Sequence, residues 1–550
     1  IGMIVAGAGA LFLAAYLGTA KGNYIYEAWK TTYLAMAGVM LVGIFTTLII
    51  REPKVERIHK DYKRVDYYRL VAVFFAAVIS FVLSYIYSGT AVDALKKQLG
   101  IQDSFLLFCF EAVRFIGSGA VALAVGASLV KMGAVNQHMA YETWVNPIAD
   151  FFKRYGIKLA LVLLLLIGFY RISDIIAGVI SNVFYQDLNF SKEQIAEAVK
   201  VYGVIFSLVG GFLGGLLAQR MNIMKLMFVG AVLASSTNLI FIGLVKSGQP
   251  LNDVEIIAGG QSYTVHPDET GAWKIKVPVD SLKTAQTIQA KASFQQENAA
   301  PVTVAMPYLN GADANQILLL PVTADNVINA DESQNSIVVR GQFAQPLNEH
   351  QKLQVLLDGK PFEAVLDKDG IFSAAIPGKD LASSATQKVT AQLLNGTQVQ
   401  ASLDHGYEVN ASGNTARGLD IDIQPINLAA ADHGQIELKG KVIKSYSSLW
   451  LYFAIIVDNL ASGLAGAAFI AFLSSLTSVS FTAVQYAIFS SLMTLTPKIL
   501  GGYSGTIVSN IGYPKFFLMT TLIGIPILLL VIWVGKLLRD HNAQLNGKGE

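Results

Sequence analysis

Cysteine is almost absent from these 550 residues, and charge is scarcer than in a water-soluble chain. Cys109 stands alone, so no disulfide within the chain is possible. Asp, Glu, Lys and Arg make up 15% of the sequence, against about 25% in ordinary soluble domains. A formal net charge of +2 leaves no electrostatic footprint for nucleic acid. The seven histidines, His59, His138, His266 and His405 among them, all fall outside the long apolar runs. That pattern excludes a membrane-embedded histidine relay and a His-based metal site there. No G-x-x-x-x-G-K-[ST] stretch occurs, so a P-loop nucleotide motor is excluded. Neither a metal-ligand cluster nor a placeable Ser–His pair points to an enzyme, and no cofactor is implied.

What the chain has in abundance is apolar residues, 53% of the total. They gather in windows about 20 residues long, the length a helix needs to cross about 30 Å of hydrocarbon. Ten candidate spans fall near 2–18, 32–50, 69–88, 105–132, 157–182, 197–219, 224–246, 449–476, 479–508 and 514–537. The first lacks the basic n-region of a signal peptide. The chain opens on Ile1 rather than methionine, which suggests a piece lacking its true beginning. Basic residues collect in "REPKVERIHKDYKR", "FFKRYGIK", "QRMNIMK" and "KLLRDH", whereas "YQDLNFSKEQIAEA" is mostly acidic. The positive-inside bias then puts both ends in the cytoplasm and residues 247–445 on the opposite side.

Within 247–445 the long runs give way to short alternating stretches such as "SIVVRGQF", "KLQVLLDG" and "KVTAQLL". Period-two alternation between clustered turn residues predicts an antiparallel β-sandwich. A repeat recurs at a spacing of 99 residues: "DETGAWKIKVPVDSL" aligns with "DKDGIFSAAIPGKDL". Gly271, Trp273, Pro278 and Leu282 match Gly370, Phe372, Pro377 and Leu381, and Gly260 matches Gly359. Two tandem domains follow, with repeats near 250–305 and 335–410. The pattern resembles the bacterial Ig-like repeats of cell-envelope proteins, which makes Trp273 and Phe372 core residues and the insert a spacer or a peptidoglycan contact.

Against this apolar background "FYRISDIIAG" sets Arg171 and Asp174 far inside a span. At i, i+3 they share a helix face and can pair. Each costs about 2.5–3.5 kcal/mol at a helix centre, so each needs a polar cavity or a partner. They read either as a structural ion pair or as part of a transport site. Other embedded polar groups favour the second. "LYFAIIVDNLASGLAGAAF" carries Asp458 and Asn459, followed by small residues that permit close helix approach. Lys498 follows Pro497, which is expected to kink its helix. Lys200 lies near the outer end of another span, from which it can also snorkel to the interface. Glu111 and Arg114 form a second i, i+3 pair in 105–132. Such a group suits a substrate bearing carboxylates and amines, and a carboxylate in low dielectric can carry a proton. The expectation is secondary, ion-coupled transport.

"GGFLGGLLAQRM" resembles the cytoplasmic signature of the major facilitator superfamily through Gly210, Gly211, Gly214, Gly215 and Arg220, with Gln219 where an acid is common. Taken with "YRISDIIAG", "AVKVYGVIFSLVGGFLGGLLAQRM" and "GYPKFFLMT", the chain resembles the AmpG family of muropeptide permeases. The most specific residues are Asp458, Asn459, Leu460, Gly463 and Gly466, then Phe481, Thr482, Ala483, Gln485, Tyr486 and Ala487. Asp458 stands where other members can carry Glu, and Lys498 where arginine is found.

The likeness covers about 1–50, 157–246 and 447–535. It implies a polytopic α-helical protein of the major facilitator fold, with two six-helix halves and the chain beginning at the fifth helix. Residues 1–50 are then the last two helices of the first half, and 51–156 a linker with two extra helices. Residues 157–246 and 446–550 form the second half and tail around the inserted tandem Ig-like domain.

The resemblance further implies proton-driven import of anhydromuropeptides across the bacterial inner membrane. That import feeds peptidoglycan recycling and, in some bacteria, β-lactamase induction and β-lactam resistance. The candidate coupling and substrate residues are Asp174, Asp458, Arg171, Lys498, Lys200, Asn459 and Gln485, with Asp174 read as the titrating group and Arg171 as a structural or substrate-anion partner. Gly214, Gly215 and Arg220 are the signature-loop candidates. The implied partners are the muropeptide, protons and membrane lipid. Rival readings are a facilitator for another amphiphilic anion, such as an acyl-CoA or a drug, and an envelope sensor or scaffold.

Overall fold

A computed structural model describes residues 9–18, 25–51, 61–296, 300–309, 316–330, 332–410, 419–428 and 431–547. Among them nine helices are long and apolar enough to cross a membrane. The chain is thus a polytopic helical membrane protein carrying a separate all-β region. The first expected span, 2–18, lies partly outside the described residues; its described part holds the helix α1 (Ala10–Tyr16). Then come α2 (Tyr26–Ile49), α3 (Arg64–Gln98), α4 (Ser104–Lys131), α5 (Gln137–Ala140), α6 (Asn146–Phe169) and α7 (Ile172–Asp187). After them come α8 (Lys192–Ile195), a π-turn at Ala196–Tyr202, α9 (Gly203–Arg220), α10 (Ile223–Ser236) and α11 (Asn238–Lys246). The chain forms two compact units: Ile1–Ile49, Val183–Val204 and Gly243–Phe453 make one, and Ile50–Asn182, Ile205–Ile242 and Ala454–Glu550 the other.

In the second unit, the extra helices α3 and α4 pack as a hairpin closed by a charged knot. Arg114 donates through Nε and Nη2 to the Tyr85 carbonyl (3.1 and 2.7 Å) and through Nη1 to Glu111 (2.8 Å). Its guanidinium lies 4.0 Å from the Tyr85 ring centroid, and Lys96 completes the knot at 2.5 Å from Glu111. The Glu111–Arg114 pair is therefore consumed within the hairpin. Gly156, at φ 74°, breaks α6 between a short leading segment and its apolar run.

The β region of the first unit begins with β1 (Val254–Ala258), β2 (Gln261–Val265), β3 (Ala272–Pro278), the short helix α12 (Val279–Leu282), β4 (Thr287–Ala292) and β5 (Val302–Pro307). A second set follows: β6 (Ile317–Leu319), β7 (Val327–Asn329), β8 (Ser336–Phe343), β9 (Gln351–Leu357), β10 (Lys360–Glu363), β11 (Val365–Leu366) and β12 (Ile371–Pro377). It ends with the helix α13 (Gly378–Ala382), β13 (Lys388–Asn395), β14 (Gln398–Gly406) and β15 (Glu408–Asn410). Only then come β16 (Leu419–Ile423) and β17 (Gln435–Lys444). These two pair with β3 in the order β16-β17-β3, and their inward residues join the core of the first sandwich. The second sandwich, with its own core, is thus inserted in sequence between strands of the first.

The 99-residue repeat has physical counterparts in its turns, its aromatic cores and its leucine carbonyls. Asp268 accepts from the backbone N–H groups of Thr270 and Ala272, as Asp367 does from Asp369 and Ile371, all at 2.9 Å. These bonds shape the turns whose glycines, Gly271 and Gly370, hold φ of 86° and 77°. The rings of Trp273 and Phe372 lie against Gly440 and Gly341, where any Cβ would collide with them. Tyr308 Oη donates to the Leu282 carbonyl (2.6 Å) and Tyr407 Oη to that of Leu381 (2.8 Å). Gly341 lies on β8 and Gly440 on β17, so β17 supplies to the first sandwich what β8 supplies to the second. Tyr308→Phe and Tyr407→Phe are each expected to cost about 1 kcal/mol, measured as matching losses in the thermal unfolding of the β region.

Chain re-entering the helices is anchored closely. Lys441 Nζ donates to the Asp187 carbonyl at the end of α7, and Asn189 donates to the Lys444 carbonyl at 3.2 Å. Lys444 Nζ donates to the Gln249 carbonyl (2.8 Å), and burial pulls its ammonium below its ordinary pKa against the pull of Asp268 and Glu269. Tyr446 Oη donates to the Glu269 carbonyl (2.6 Å), while its ring packs on Gly248. Three residues after β17, α14 (Ser448–Leu476) begins, followed by α15 (Thr482–Gly501), α16 (Ser504–Ile511) and α17 (Tyr513–Asn546).

Candidate functional site

The sequence predicts one helix over 157–182, and the structure keeps one apolar span there, with a short break at Tyr170 and Arg171 between α6, which ends at Phe169, and α7, which restarts at Ile172. Tyr170 is held there by its hydroxyl, which donates to the Met227 carbonyl at 2.7 Å. A similar short break at Thr237 joins α10 to α11 within one span.

Arg171 leaves its break as a partly buried guanidinium. Nη2 makes an ion pair with Asp174 and donates to Ser462 Oγ of α14 at 2.7 Å. Ser462 Oγ in turn donates to Asp174 at 3.0 Å, so one hydroxyl bridges both charges. Arg171 Nε is buried without a hydrogen-bond partner among the described residues. One turn before Ser462, Asp458 accepts a 2.9 Å hydrogen bond from Thr237 Oγ1. It lies within electrostatic reach of both Asp174 and Arg171. One guanidinium therefore faces two carboxylates, and the cluster carries a formal charge of −1 when all are ionised.

Beside it opens a cleft of about 570 Å³, lined by Arg171, the hydroxyls of Ser207 and Ser462, and glycines and alanines of α9 and α14. Helix α9 approaches α14 backbone to backbone. A Cβ at Gly210 would collide with the Leu460 carbonyl, and one at Gly463 with that of Ser207. One at Gly214 would sit 2.8 Å from the Leu464 carbonyl. Gly466 leaves room for the Arg171 guanidinium, 3.4 Å from where its Cβ would be. Gly463→Ala is expected to cost about 1–3 kcal/mol by overpacking this seam. Gly215→Ala, which meets nothing within 4 Å, is expected to be neutral; thermal shift of the purified protein distinguishes them.

Arg171, Asp174 and Asp458 are thus brought together, and the remaining sequence candidates lie elsewhere. Asn459 donates to the Ile455 carbonyl of its own helix at 2.8 Å. Helix α15 continues through Pro497, and Lys498 near its end is exposed, making no ion pair among the described residues. Lys200 is partly buried in the π-turn, also without an ion pair among the described residues.

Gln485 is buried in a clasp of its own. Its amide nitrogen donates to the Pro147 carbonyl (2.8 Å) and Asp150 (2.9 Å), and its oxygen accepts from Ser478 N–H (2.8 Å) and Arg154 Nη2 (3.1 Å). Gly214 and Gly215 lie within α9, and Arg220 is its last residue. Sequence reasoning missed Ser462 and Thr237. The available signal for Ser462 was its place one helical turn after Asp458, on the same face.

Membrane-length helices enclosing one cation, two carboxylates and an open cleft of small residues have the construction of a membrane carrier. No protein-family model matches the chain. It is similar to "Putative transporter AmpG 4" of Rickettsia conorii, with 32% identity over 171 residues, 30% of this chain and 40% of that protein. It is also similar to an AmpG 4 of Rickettsia felis, at 36% identity, covering 18% of this chain and 23% of that one. An AmpG 1 of Rickettsia prowazekii is 40% identical, covering 18% and 21%. The chain therefore spans less than half the length of the curated relatives it matches. Among solved structures, an immunoglobulin-like domain of the M. primoryensis ice-binding adhesin is 22% identical over 18% of this chain and 100% of that one, with a TM-score of 0.15.

Proposed function

We propose that the chain belongs to a proton-coupled carrier that imports anhydromuropeptides, anionic sugar–peptide fragments of the cell wall. Both ends lie in the cytoplasm in this reading, and the β insert stands in the periplasm over the inner membrane. The observation that carries it is the single guanidinium of Arg171 between Asp174 and Asp458 at the edge of the cleft.

The charge balance supplies the coupling. With both acids ionised, Asp174 and Ser462 occupy Arg171, and a second anion meets a net negative site. A proton taken up at Asp458 removes that excess, so that the guanidinium, with its unpaired Nε–H, can take a substrate carboxylate beside Asp174. Loss of the proton toward the cytoplasm restores the net negative charge and expels the anion. Proton and anion therefore bind together and leave together. Ser207 and Ser462 offer hydroxyls, and the glycine- and alanine-lined wall with Ile470 leaves room for a bulky ligand. The identity with proteins named as AmpG transporters supports the substrate class. A scaffold that merely anchored the β insert has no use for three charges in its helices.

Uptake of labelled anhydromuropeptide by cells expressing the complete protein tests the reading. Accumulation that collapses on adding a proton uncoupler is expected; accumulation insensitive to the uncoupler rules proton coupling out.

A further inference from the structure

The π-turn at Ala196–Tyr202 builds a cluster that the coupling site does not use. On an α-helix of 3.6 residues per turn, positions five apart diverge by about 140°. A turn of i→i+5 hydrogen bonds returns them to one side. Glu197 and Tyr202 are such a pair, and both reach the same partner, Tyr452 of α14. Tyr452 Oη donates to Glu197 Oε2 at 2.9 Å, and the Tyr202 and Tyr452 rings meet edge to face with centroids 5.5 Å apart and planes at 89°. Glu197 is exposed, the Tyr202 ring is 38% exposed, and Lys200 lies in the same turn, partly buried. An unwound turn forfeits regular helix geometry, and such turns concentrate at functional sites.

An aromatic belt at a membrane interface turns its polar tips toward water and headgroups. Here the Tyr452 hydroxyl is turned instead to a carboxylate on a neighbouring helix. That fixes the angle between two rings and leaves Tyr202 partly exposed beside an acid. An exposed aromatic face takes the C–H side of a pyranose ring, and a carboxylate beside it takes its hydroxyl and acetamido N–H groups. Lys444 lies four residues before α14, so the cluster stands at the foot of the β insert.

We propose that Glu197, Tyr202 and Tyr452 form an outer recognition subsite for an amino-sugar ring of the incoming ligand. The proposal rests on the reading of the chain as a carrier of sugar-bearing anions. Initial-rate uptake through the complete protein, with an anhydromuropeptide and with the same peptide lacking sugar, tests it.

Tyr202→Leu is expected to raise KM for the sugar-bearing substrate by about tenfold, the scale of one lost aromatic contact, with kcat little changed. Tyr202→Phe is expected to stay near wild type, and Glu197→Gln to raise KM for the sugar-bearing substrate only. An unchanged KM in Tyr202→Leu, or an equal rise for the sugar-free peptide, overturns the subsite and leaves the rings as membrane anchors. Equilibrium binding of N-acetylglucosaminyl-anhydro-N-acetylmuramic acid to the purified protein separates this from a failure of the transport reading. Wild-type binding weakened about tenfold by Tyr202→Leu supports the subsite even without uptake, and absence of wild-type binding overturns it.

Discussion

Replacing Asp458 by asparagine is expected to abolish uphill uptake while leaving exchange intact. The substitution keeps an acceptor for the Thr237 hydroxyl (2.9 Å in the wild type) but removes the negative charge that a proton would neutralise. Each pH unit across the membrane is worth about 1.4 kcal/mol per coupled proton, or about a tenfold accumulation. In Asp458→Asn that ratio is expected to fall to unity at every pH gradient, while labelled substrate still exchanges with unlabelled substrate preloaded inside. Full accumulation by this variant removes Asp458 from the mechanism. Loss of exchange as well as accumulation makes it a binding group rather than a coupling one.

Arg171 gives the second large effect, and the design separates folding from transport. Arg171→Ala leaves Asp174 with only the Ser462 hydroxyl in a site where its side chain is 13% exposed. Removing one partner of a buried pair costs about 3–5 kcal/mol, whereas removing both is often nearly neutral. The double variant Arg171→Ala/Asp174→Ala is therefore expected to recover most of the thermal stability lost in the single one, measured in detergent. Uptake is expected to vanish in both. Recovered uptake in the double variant reduces the pair to a bundle lock.

The spans were legible because a bilayer demands about 20 apolar residues whatever the tertiary packing. The sandwiches were legible because their turns need particular residues, Asp268 and Gly271 in one copy and Asp367 and Gly370 in the other. Arg171, Asp174 and Asp458 were conspicuous because a charge in such a run is costly. Ser462 and Thr237 were not, since a hydroxyl in an apolar helix usually satisfies itself on its own backbone, as Thr32 does on the Ala28 carbonyl. The closing of the first sandwich by β17 depends on pairing across more than 150 residues, which no local pattern records. The Gln485 motif was visible, but its clasp with Asp150 and Arg154 depends on a segment from the other end of the helical domain.

That closing strand has a mechanical consequence. An Ig-like module strung in a row has its two ends at opposite poles, which suits a cable but not a loop between neighbouring helices. Supplying the last strand from downstream brings both ends to one pole, so the module sits as a post on a footing. β17 has 10 residues, a shaft of about 34 Å at about 3.4 Å per residue, and it runs into α14 with almost no slack. The strand that closes the first sandwich is therefore also the strand that returns the chain to the start of α14.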